Sequence, residues 1–389
     1  MSNVDVLIVG SGFAGSVLAE RFAHAHKNVL VLEKRNHIGG NMYDYTDNQG
    51  IRVHQYGPHL FHTNRKEVFD YLSNFTQWYP YEHKVLGLVQ GKYVPIPFNL
   101  KSIEECFDPQ KADHIKNILI STYGMERKVT ILELRKNDDP VLQDLADYVF
   151  EHVFKHYTMK QWDLTVDELD PSVTNRVPVF VSYDDRYFQD PYQYLPKDGY
   201  TSLFEAMLNH PRIKIELNVN AKDRIRLDFN THQVFFDGQV FTGPVIFTGA
   251  IDDFLNEPFG ELPYRSEEFE LQTHKGFYQA VGTVNYPTPQ SQHAFTRITE
   301  YKHMMEEKPE MTTIAVEYPY PYVKDAKKGN IPYYPIFTED NQKKYERYVE
   351  AMSDFKNFYL VGRLAEYKYY NMDAVVFHAL KVFEHIQAE

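Results

Sequence analysis

The first 35 residues carry a pattern of apolar and polar positions that predicts a strand, a helix and a second strand. VDVLIVG is a continuous apolar run rich in β-branched residues, which is typical of a buried parallel strand. GSGFAGSVLAERFAHAH has helical spacing, and NVLVLEKR predicts a second strand that ends at Glu33. The pattern therefore indicates a βαβ unit.

Two later segments repeat the strand-and-turn pattern. GPVIFTGAIDDF predicts a strand that ends in a turn at Thr248 and Gly249. Near the C-terminus, NFYLVGRLAEYKYYNMDAVVFHALKVFEHI predicts a strand, a turn at Gly362 and Arg363, and an amphipathic helix that begins near Asn371. A strand, turn and helix at the end of the chain indicate a domain assembled from separate stretches, with the last helix N-terminus directed at a ligand.

The glycines at the start of the first predicted helix have the GxGxxG spacing of a dinucleotide-binding turn. Gly10 allows the tight turn, Gly12 lets the backbone approach a pyrophosphate, and Gly15 lets the helix pack on the strand. Glu33 follows about 20 residues later, where an acidic side chain binds ribose hydroxyls. Strand, helix, second strand and acidic residue in register predict dinucleotide binding.

A second glycine pair distinguishes FAD from a nicotinamide cofactor. In KRNHIGGNMYD, Arg35 precedes Gly39 and Gly40 directly after the second predicted strand. A nicotinamide site has no need of another glycine turn here. An extended FAD does, because its ribityl chain and diphosphate run past the strand end, and Arg35 can offset phosphate charge. The pattern favours FAD.

The segments between these stretches differ in character. Residues 100–175 have apolar spacings of three and four and predict helices, whereas residues 263–345 alternate apolar and polar positions and predict antiparallel sheet. The segment 85–100 predicts a partner hairpin, which Pro95 and Pro97 confine to a sheet edge. The predicted fold class is α/β: a discontinuous Rossmann-like FAD-binding domain with an inserted small helical domain and an antiparallel β-sheet domain. The predicted boundaries are 1–82, 199–262 and 346–389 for the FAD-binding domain, 101–178 for the helical domain with a mobile lid, and 83–100, 179–198 and 263–345 for the sheet and substrate domain.

Composition limits the function classes. At 389 residues and 45.8 kDa the chain fits two or three domains. Its net charge of −13, with no lysine or arginine block, argues against nucleic acid and anionic membrane partners. Cys106 is the only cysteine, which fits a reducing compartment, and no apolar run approaches the roughly 20 residues that span a bilayer. We therefore expect a cytoplasmic protein without membrane insertion.

The stretch YGPHLFHTN (56–64) places His59 and His62 three residues apart, directly after a glycine and a proline. Two such histidines could form half a metal site, an acid/base pair or the wall of a pocket. A metal is disfavoured because no cysteine or acidic ligand set accompanies them. We expect no metal site in this protein.

Several segments together resemble one family, that of UDP-galactopyranose mutase. The resemblance runs from about residue 4 to residue 385 and rests on motifs shared in the same order. These motifs are GSGFAGS, EKRNHIGGN, YGPHLFHTN, PIPFNL, YTMKQW, RVPV followed by YDD and YF, PYYPI, and GRLAEYKYYNMD. The resemblance implies an isomerase, an intramolecular transferase that interconverts UDP-galactopyranose and UDP-galactofuranose for cell-surface polysaccharide biosynthesis. It also implies that FAD acts only when reduced, through attack of flavin N5 on the anomeric carbon, and that a homodimer is to be expected.

Motifs and resemblance together give the expected site residues. By resemblance His59 and His62 lie on the flavin wall, and Arg297 and Arg363 lie at the diphosphate and the active-site floor; these are the expected catalytic residues. The expected cofactor-binding residues are Gly10, Gly12, Phe13, Ala14, Gly15, Glu33, Lys34, Arg35, Gly39, Gly40, Asn41, Gly57, Pro58, His59, Thr248, Gly249, Gly362, Arg363, Asn371 and Met372. The expected substrate-binding residues are Tyr157, Trp162, Arg176, Phe180, Arg186, Tyr187, Arg265, Asn285, Arg297, Tyr318 and Tyr369.

Two positions depart from the family pattern. Phe180 stands where the family has a second arginine, four residues beyond the one that matches Arg176. A phenyl ring cannot pair with phosphate, so either Arg186 replaces that arginine or the ligand differs. Asn371 stands where the family has an aspartate. Together they allow the same chemistry on a deoxy, N-acetylated or thymidine-linked nucleotide sugar.

Two other classes share the N-terminal motifs. A redox flavoenzyme of the amine-oxidase kind would need an apolar substrate tunnel, against which the predicted arginines and tyrosines argue. A non-catalytic flavin-fold binding protein would tolerate a damaged glycine turn, whereas Gly10, Gly12 and Gly15 are all present. A nucleotide-sugar mutase is therefore the favoured interpretation.

Overall fold

A computed structural model describes residues 4–163 and 178–388 of the protein. The strands there are β1 (Val6–Val9), β2 (Val29–Glu33), β3 (Asp44–Thr46), β4 (Arg52–His54), β5 (Phe61–Thr63), β6 (Trp78–Pro80), β7 (Val85–Val89), β8 (Lys92–Ile96), β9 (Arg127–Val129), β10 (Val179–Val181), β11 (Tyr192–Pro196), β12 (Ile213–Leu217), β13 (Ile225–Asp228), β14 (Gln233–Phe236), β15 (Gln239–Phe241), β16 (Val245–Phe247), β17 (Tyr264–Lys275), β18 (Thr283–Asn285), β19 (Arg297–Glu300), β20 (Met311–Pro321), β21 (Tyr334–Pro335) and β22 (Phe358–Leu360). The α-helices are α1 (Phe13–His24), α2 (Lys66–Leu72), α3 (Leu100–Cys106), α4 (Pro109–Tyr123), α5 (Ile131–Arg135), α6 (Pro140–Val149), α7 (His156–Trp162), α8 (Tyr200–Leu208), α9 (Ile251–Phe254), α10 (Glu339–Met352) and α11 (Met372–Ala388).

A five-stranded parallel sheet joins distant parts of the chain. Its order is β12-β2-β1-β16-β22, so the N-terminal βαβ unit pairs with a middle segment and with the C-terminal strand. Leu7, Ile8 and Val31 are fully buried within it, as continuous apolar strands between helical layers must be. The discontinuous Rossmann-like fold predicted from the sequence is confirmed.

A seven-stranded sheet forms the second large unit, in the order β21-β17-β20-β19-β18-β7-β8. Its long pair β17 and β20 is antiparallel over eleven residue pairs. The proline-bearing strand β8 lies at the edge, as predicted. One pairing was not predicted: β18 runs parallel to β7, which is possible because the long intervening chain provides the crossover.

Helices α3 to α7 form the inserted helical region. The side chains of Asn99, Asp108, Thr130 and Asp139 each accept a backbone N–H at the start of one of the first four helices. A π-helical segment, Phe150–Lys155, joins α6 to α7. This segment directs α7 toward the seven-stranded sheet, where it contacts β20.

Three structural elements cross the predicted domain boundaries or pair across them, and the boundaries themselves stay predictions. Helix α10 is continuous across the boundary predicted at residue 346, and its Tyr345 and Tyr348 pack in the core beside the parallel sheet. Strand β11 pairs with β5 and β6 of the first stretch, and β10 pairs with β9 of the helical region. Strand pairing between distant segments is a tertiary property, which local composition does not encode.

In the described part of the chain, no helix has the length and apolar character needed to cross a membrane.

Candidate active site

Several turns meet at the carboxyl ends of the parallel strands. Gly10 has a φ of +96°, and a Cβ atom there would lie 2.1 Å from Oγ1 of Thr248. Gly40 has a φ of +57°, and its Cβ would lie 3.0 Å from Cα of Gly12. Gly362 packs as closely on the start of α1. Only glycine permits this approach, which leaves a backbone-lined cradle. The other predicted cofactor residues on these turns and at the start of α1 are Phe13, Ala14, Gly15, Gly39, Asn41 and Gly249.

The Glu33 carboxylate is fixed at the end of β2. It accepts hydrogen bonds from the Ser11 N–H at 2.9 Å, the Ser11 hydroxyl at 2.6 Å and the Arg35 N–H at 2.9 Å. These donors hold an acidic group beside the glycine turn, where the sequence predicts a ribose contact.

Arg35 provides the test of whether a phosphate group fits this cradle. Its Nη2 donates to Oδ1 of Asn41 at 2.8 Å, and its guanidinium lies 4.2 Å from the centre of the Tyr56 ring. Its Nη1 is buried and has no hydrogen-bond partner among the described residues. Because a buried donor without an acceptor is costly, a phosphate oxygen fits this position. Lys34, in contrast, is exposed, and Asn371 is exposed directly before α11, which begins at Met372.

The seven-stranded sheet meets the Rossmann-like domain at the histidine segment. The Phe269 ring lies against Gly57, where a Cβ atom would come within 2.6 Å of it, and Gly57 has a φ of +88°. The hydroxyl of Tyr301 donates to the carbonyl of His54 at 3.0 Å. The turn at Gly57 and Pro58 is thus held between the two units.

His59 lies on this wall and is neutral. Its pKa is lowered to about 3, chiefly by burial and also by the nearby charges of His54, Arg363 and Arg297. Its Nδ1 lies 2.8 Å from the carbonyl of Gly57. A carbonyl can only accept, so Nδ1 carries the proton and Nε2 keeps its lone pair.

His62 has a different environment. Its Nδ1 lies 2.8 Å from Oδ2 of Asp190, and its ring stacks on Phe188 with centroids 3.6 Å apart. These contacts orient the imidazole and leave only 17% of the side chain accessible. A catalytic role for His62 stays a prediction.

Arg297 is the central cation of the sheet face. Its Nε donates to Oε2 of Glu317 at 2.6 Å, and the two residues are directly opposite on β19 and β20. Burial alone would lower the pKa of Arg297, but the Glu317 carboxylate raises it above the usual value. Asn285 is opposite Arg297 on β18, so its side chain projects from the same face.

Arg363 approaches this face from the C-terminal turn. Its guanidinium lies 5.3 Å from the ring centre of Tyr334 and 5.1 Å from that of Tyr369. The two rings stack with centroids 5.7 Å apart, and Nη2 of Arg363 donates to the carbonyl of Tyr370 at 2.6 Å. Cation–π contacts hold the guanidinium in place beside the opening of the site.

Aromatic residues of α7 and the β10–β11 segment complete the opening. The pKa values of Tyr157 and Tyr187 are raised, because burial outweighs the opposing effect of the positive charge of Arg297. That opposing effect means that both hydroxyls lie near the Arg297 guanidinium. Trp162 lies 6.4 Å from Tyr334, measured between ring centroids. Tyr187 and Tyr369 are 36% and 39% exposed, so a ligand that enters the site from solution can contact them.

Two predicted substrate residues lie apart from this cluster. Tyr318 follows Glu317 on β20, so it projects from the opposite face of the sheet and packs against Phe295. Arg265 is directed at the end of α7: its Nε donates to the carbonyl of Gln161 at 2.9 Å and its Nη1 lies 3.5 Å from Asp163. A cation at a helix C-terminus satisfies carbonyls that lack intrahelical partners, so Arg265 anchors the helix.

Arg186, which could replace the missing arginine, and Phe180, which stands at that arginine's position, both have partners away from Arg297. Arg186 donates to Asp184 from Nη2 at 2.8 Å and to Glu82 from Nη1 at 3.2 Å. Phe180 is buried, and its backbone N–H donates to the carbonyl of Phe98 at 2.8 Å. Neither residue contacts Arg297 in the described structure, and Arg176 lies outside the described residues.

Sequence analysis missed three members of the cluster. Tyr334 belongs to PYYPI, a motif recognised without assigning its rings. Glu317 and Glu267 are buried acidic residues on predicted strands, with 1% and 4% exposure. An acidic residue within an apolar strand pattern was the signal that could have found them. A carboxylate at such a position is buried, and a buried carboxylate needs a partner.

A Rossmann-like domain with a phosphate-compatible glycine cradle, facing a sheet that carries a partly buried arginine, defines a dinucleotide-binding enzyme. Comparison with known proteins specifies the family. The family model described as UDP-galactopyranose mutase matches residues 152–369, and that of an NAD(P)-binding Rossmann-like domain matches residues 8–75. The chain therefore belongs to the UDP-galactopyranose mutase family. Its members are isomerases that use FAD, and FAD is the cofactor of this chain.

Individual relatives agree with this assignment. The chain is 35% identical to a UDP-galactopyranose mutase of Mycoplasma genitalium, over 98% of this chain and 94% of that protein. It is 31% identical to a dTDP-fucopyranose mutase of Escherichia coli, over 97% and 96%. A crystal structure of a reduced UDP-galactopyranose mutase superimposes with a TM-score of 0.74 at 15% identity, covering 100% of this chain and 94% of the other.

Proposed function

We propose that this protein interconverts the pyranose and furanose forms of a nucleotide sugar, with UDP-galactose as the first candidate substrate. The observation that carries the proposal is the position of Arg297, whose side chain is 26% exposed on the sheet face and lies near His59 on the wall of the Rossmann-like domain. Arg363 and its tyrosines flank the same space. A diphosphate and a sugar ring can therefore be held between the arginines and the histidine wall.

The chain's own groups perform the binding and positioning. When bound and reduced, FAD supplies the electron-rich nitrogen that displaces the diphosphate from the anomeric carbon. Arg297 and Arg363 hold the diphosphate before and after the bond breaks, and the hydroxyls of Tyr187 and Tyr369 are placed to donate to its oxygens. Neutral His59 presents Nε2 as an acceptor without adding a positive charge to the wall.

A thymidine-linked deoxy sugar is the second candidate substrate. The dTDP-fucopyranose mutase of Escherichia coli is nearly as similar to this chain as the UDP-galactopyranose mutase of Mycoplasma genitalium. The departures at Phe180 and Asn371 also favour testing it. We also propose that the protein is cytoplasmic and forms a homodimer. Its product would supply the furanose form of the sugar for cell-surface polysaccharide biosynthesis.

The decisive experiment incubates the FAD-loaded protein with dithionite and, separately, UDP-galactofuranose and dTDP-fucofuranose. Chromatography follows conversion to the pyranose, with oxidised enzyme as the control. We expect conversion only when the flavin is reduced, and the preferred substrate identifies the nucleotide and sugar. Steady oxygen consumption with neither sugar converted would instead support a redox flavoenzyme.

A further inference from the structure

Glu267 is a buried acidic residue to which the proposed reaction assigns no role. It lies on β17 and is 4% exposed. Nε2 of Gln161, near the end of α7, donates to its Oε1 at 2.7 Å. In the described part of the chain no lysine or arginine nitrogen forms an ion pair with it. An isolated buried carboxylate is costly, so either a proton or a partner must compensate it.

The nearest titratable group is a second carboxyl group. Glu267 and Glu317 are on the same face of the neighbouring strands β17 and β20, and their side chains are within hydrogen-bonding reach of each other. Two carboxylates have no hydrogen to share, so such a bond exists only when one of them is protonated. The pKa of Glu267 is raised to about 8: burial is the largest cause, the Glu317 carboxylate adds to the shift, and Arg297 opposes it.

The surrounding charges determine what that proton does. Arg297 faces the pair from β19 and is bonded to Glu317. Arg265, on the same strand as Glu267, has its guanidinium committed to α7 and Asp163. The other titratable groups that face Glu267 are tyrosines, which are uncharged near neutral pH: Tyr157 from α7, and Tyr333 and Tyr334 from the segment around β21. With both carboxyl groups ionised, Arg297, Glu267 and Glu317 together would carry a net charge of −1, which weakens the attraction of this face for a diphosphate even though Arg265 also lies near Glu267.

We propose that Glu267 and Glu317 share one proton, and that this proton keeps the Arg297 site electrically neutral so that it can accept the diphosphate of a nucleotide sugar. Glu267 is therefore a positioning residue that acts through Arg297. The inference rests on the proposed function, and it adds that substrate binding weakens above the pH at which the shared proton is lost. Loss of the shared proton turns a carboxylic acid into a second competing anion for Arg297.

The test measures binding rather than turnover. UDP-galactose and dTDP-glucose are titrated calorimetrically into oxidised, FAD-loaded wild type and Glu267→Gln between about pH 6.5 and about pH 9, a range in which their diphosphate diesters stay ionised. We expect the wild-type Kd to rise about tenfold between about pH 7 and about pH 9. Glu267→Gln mimics the protonated acid. Its Kd should change less than about twofold over the same pH range, apart from any effect of the titration of the ligand's nucleobase. Glu270→Gln, an exposed position on the same strand that projects from the opposite face, should follow wild type.

A second readout does not require a ligand. Infrared difference spectra of wild type minus Glu267→Gln should contain a carboxylic-acid carbonyl band that disappears as pH rises through about 8. Identical pH dependence of binding in wild type and Glu267→Gln, or absence of this band, would overturn the proposal. If neither nucleotide sugar binds at any pH while the band is present, the proposed function and the ligand role fail, whereas the shared proton stands. Flavin absorbance confirms that each variant retains its fold.

Discussion

Nε of Arg297 and Oε2 of Glu317 are 2.6 Å apart across two neighbouring strands, and this contact orients the guanidinium while its terminal nitrogens remain to bind a ligand. Arg297→Lys removes the planar fork while keeping the charge. We expect kcat/KM of the reduced enzyme to fall at least about tenfold, since a hydrogen bond to a charged group contributes about 1.5–3 kcal/mol. The matched control is Arg226→Lys, at an exposed position of strand β13, and its kcat/KM should stay within about twofold of wild type.

Tyr334 and Tyr318 provide a second comparison within one sheet. Tyr334 stacks on Tyr369 beside Arg363, whereas Tyr318 projects from the other face. Tyr334→Phe should raise KM for the nucleotide sugar about fivefold to thirtyfold through loss of one hydroxyl contact, about 1–2 kcal/mol. Tyr318→Phe should leave KM unchanged. Steady-state kinetics with both variants decides the assignment, and a larger effect of Tyr318→Phe would contradict it.

The glycine turn can be tested through cofactor content. A Cβ atom on Gly15 would lie 2.0 Å from the carbonyl oxygen of Gly10, so Gly15→Ala must separate helix α1 from strand β1. We expect loss of most bound FAD and about 1–3 kcal/mol of stability. Gly238→Ala, at a hairpin turn with a φ of +77° and no atom within 4 Å, carries backbone strain without a clash. It should cost about 1 kcal/mol and retain full flavin absorbance per protein.

Glu267 also predicts how stability depends on pH. Its folded-state pKa is raised, so between about pH 4.5 and about pH 8 the folded protein holds a proton that the unfolded chain has released. Wild type should therefore lose stability as pH rises through this window. Glu267→Gln has no proton to lose in this window, so its melting temperature relative to wild type should increase with pH. A difference in melting temperature that is constant from about pH 5 to about pH 8 would contradict the raised pKa.

How far the site could be predicted from the sequence depended on whether its residues share a local motif. Gly10, Gly12 and Glu33 lie in one βαβ unit, whose spacing follows from backbone geometry and is therefore visible in the sequence. The predicted role of Tyr318 and the role of Tyr334 depend instead on which face of the sheet each side chain occupies. A strand places successive side chains on opposite faces, and the local pattern does not show which face meets the site.

The charged residues show the same limit. Arg265 and Arg186 are arginines in motifs next to the predicted site, yet one closes the end of α7 and the other is held by Asp184 and Glu82. An arginine's role depends on which acceptor is closest in space, and composition does not encode that distance.

The sequence by itself determined the family, the cofactor and the discontinuous parallel sheet, because apolar periodicity, glycine spacing and motif order are local properties of the chain. The tertiary structure alone decided that Glu267, Glu317 and Arg297 share one buried face. They are brought together by pairing of β17, β20 and β19, across separations of up to 50 residues. Buried charges acquire their protonation state from such neighbours, so the electrostatics of the site appears only after the strands are in register.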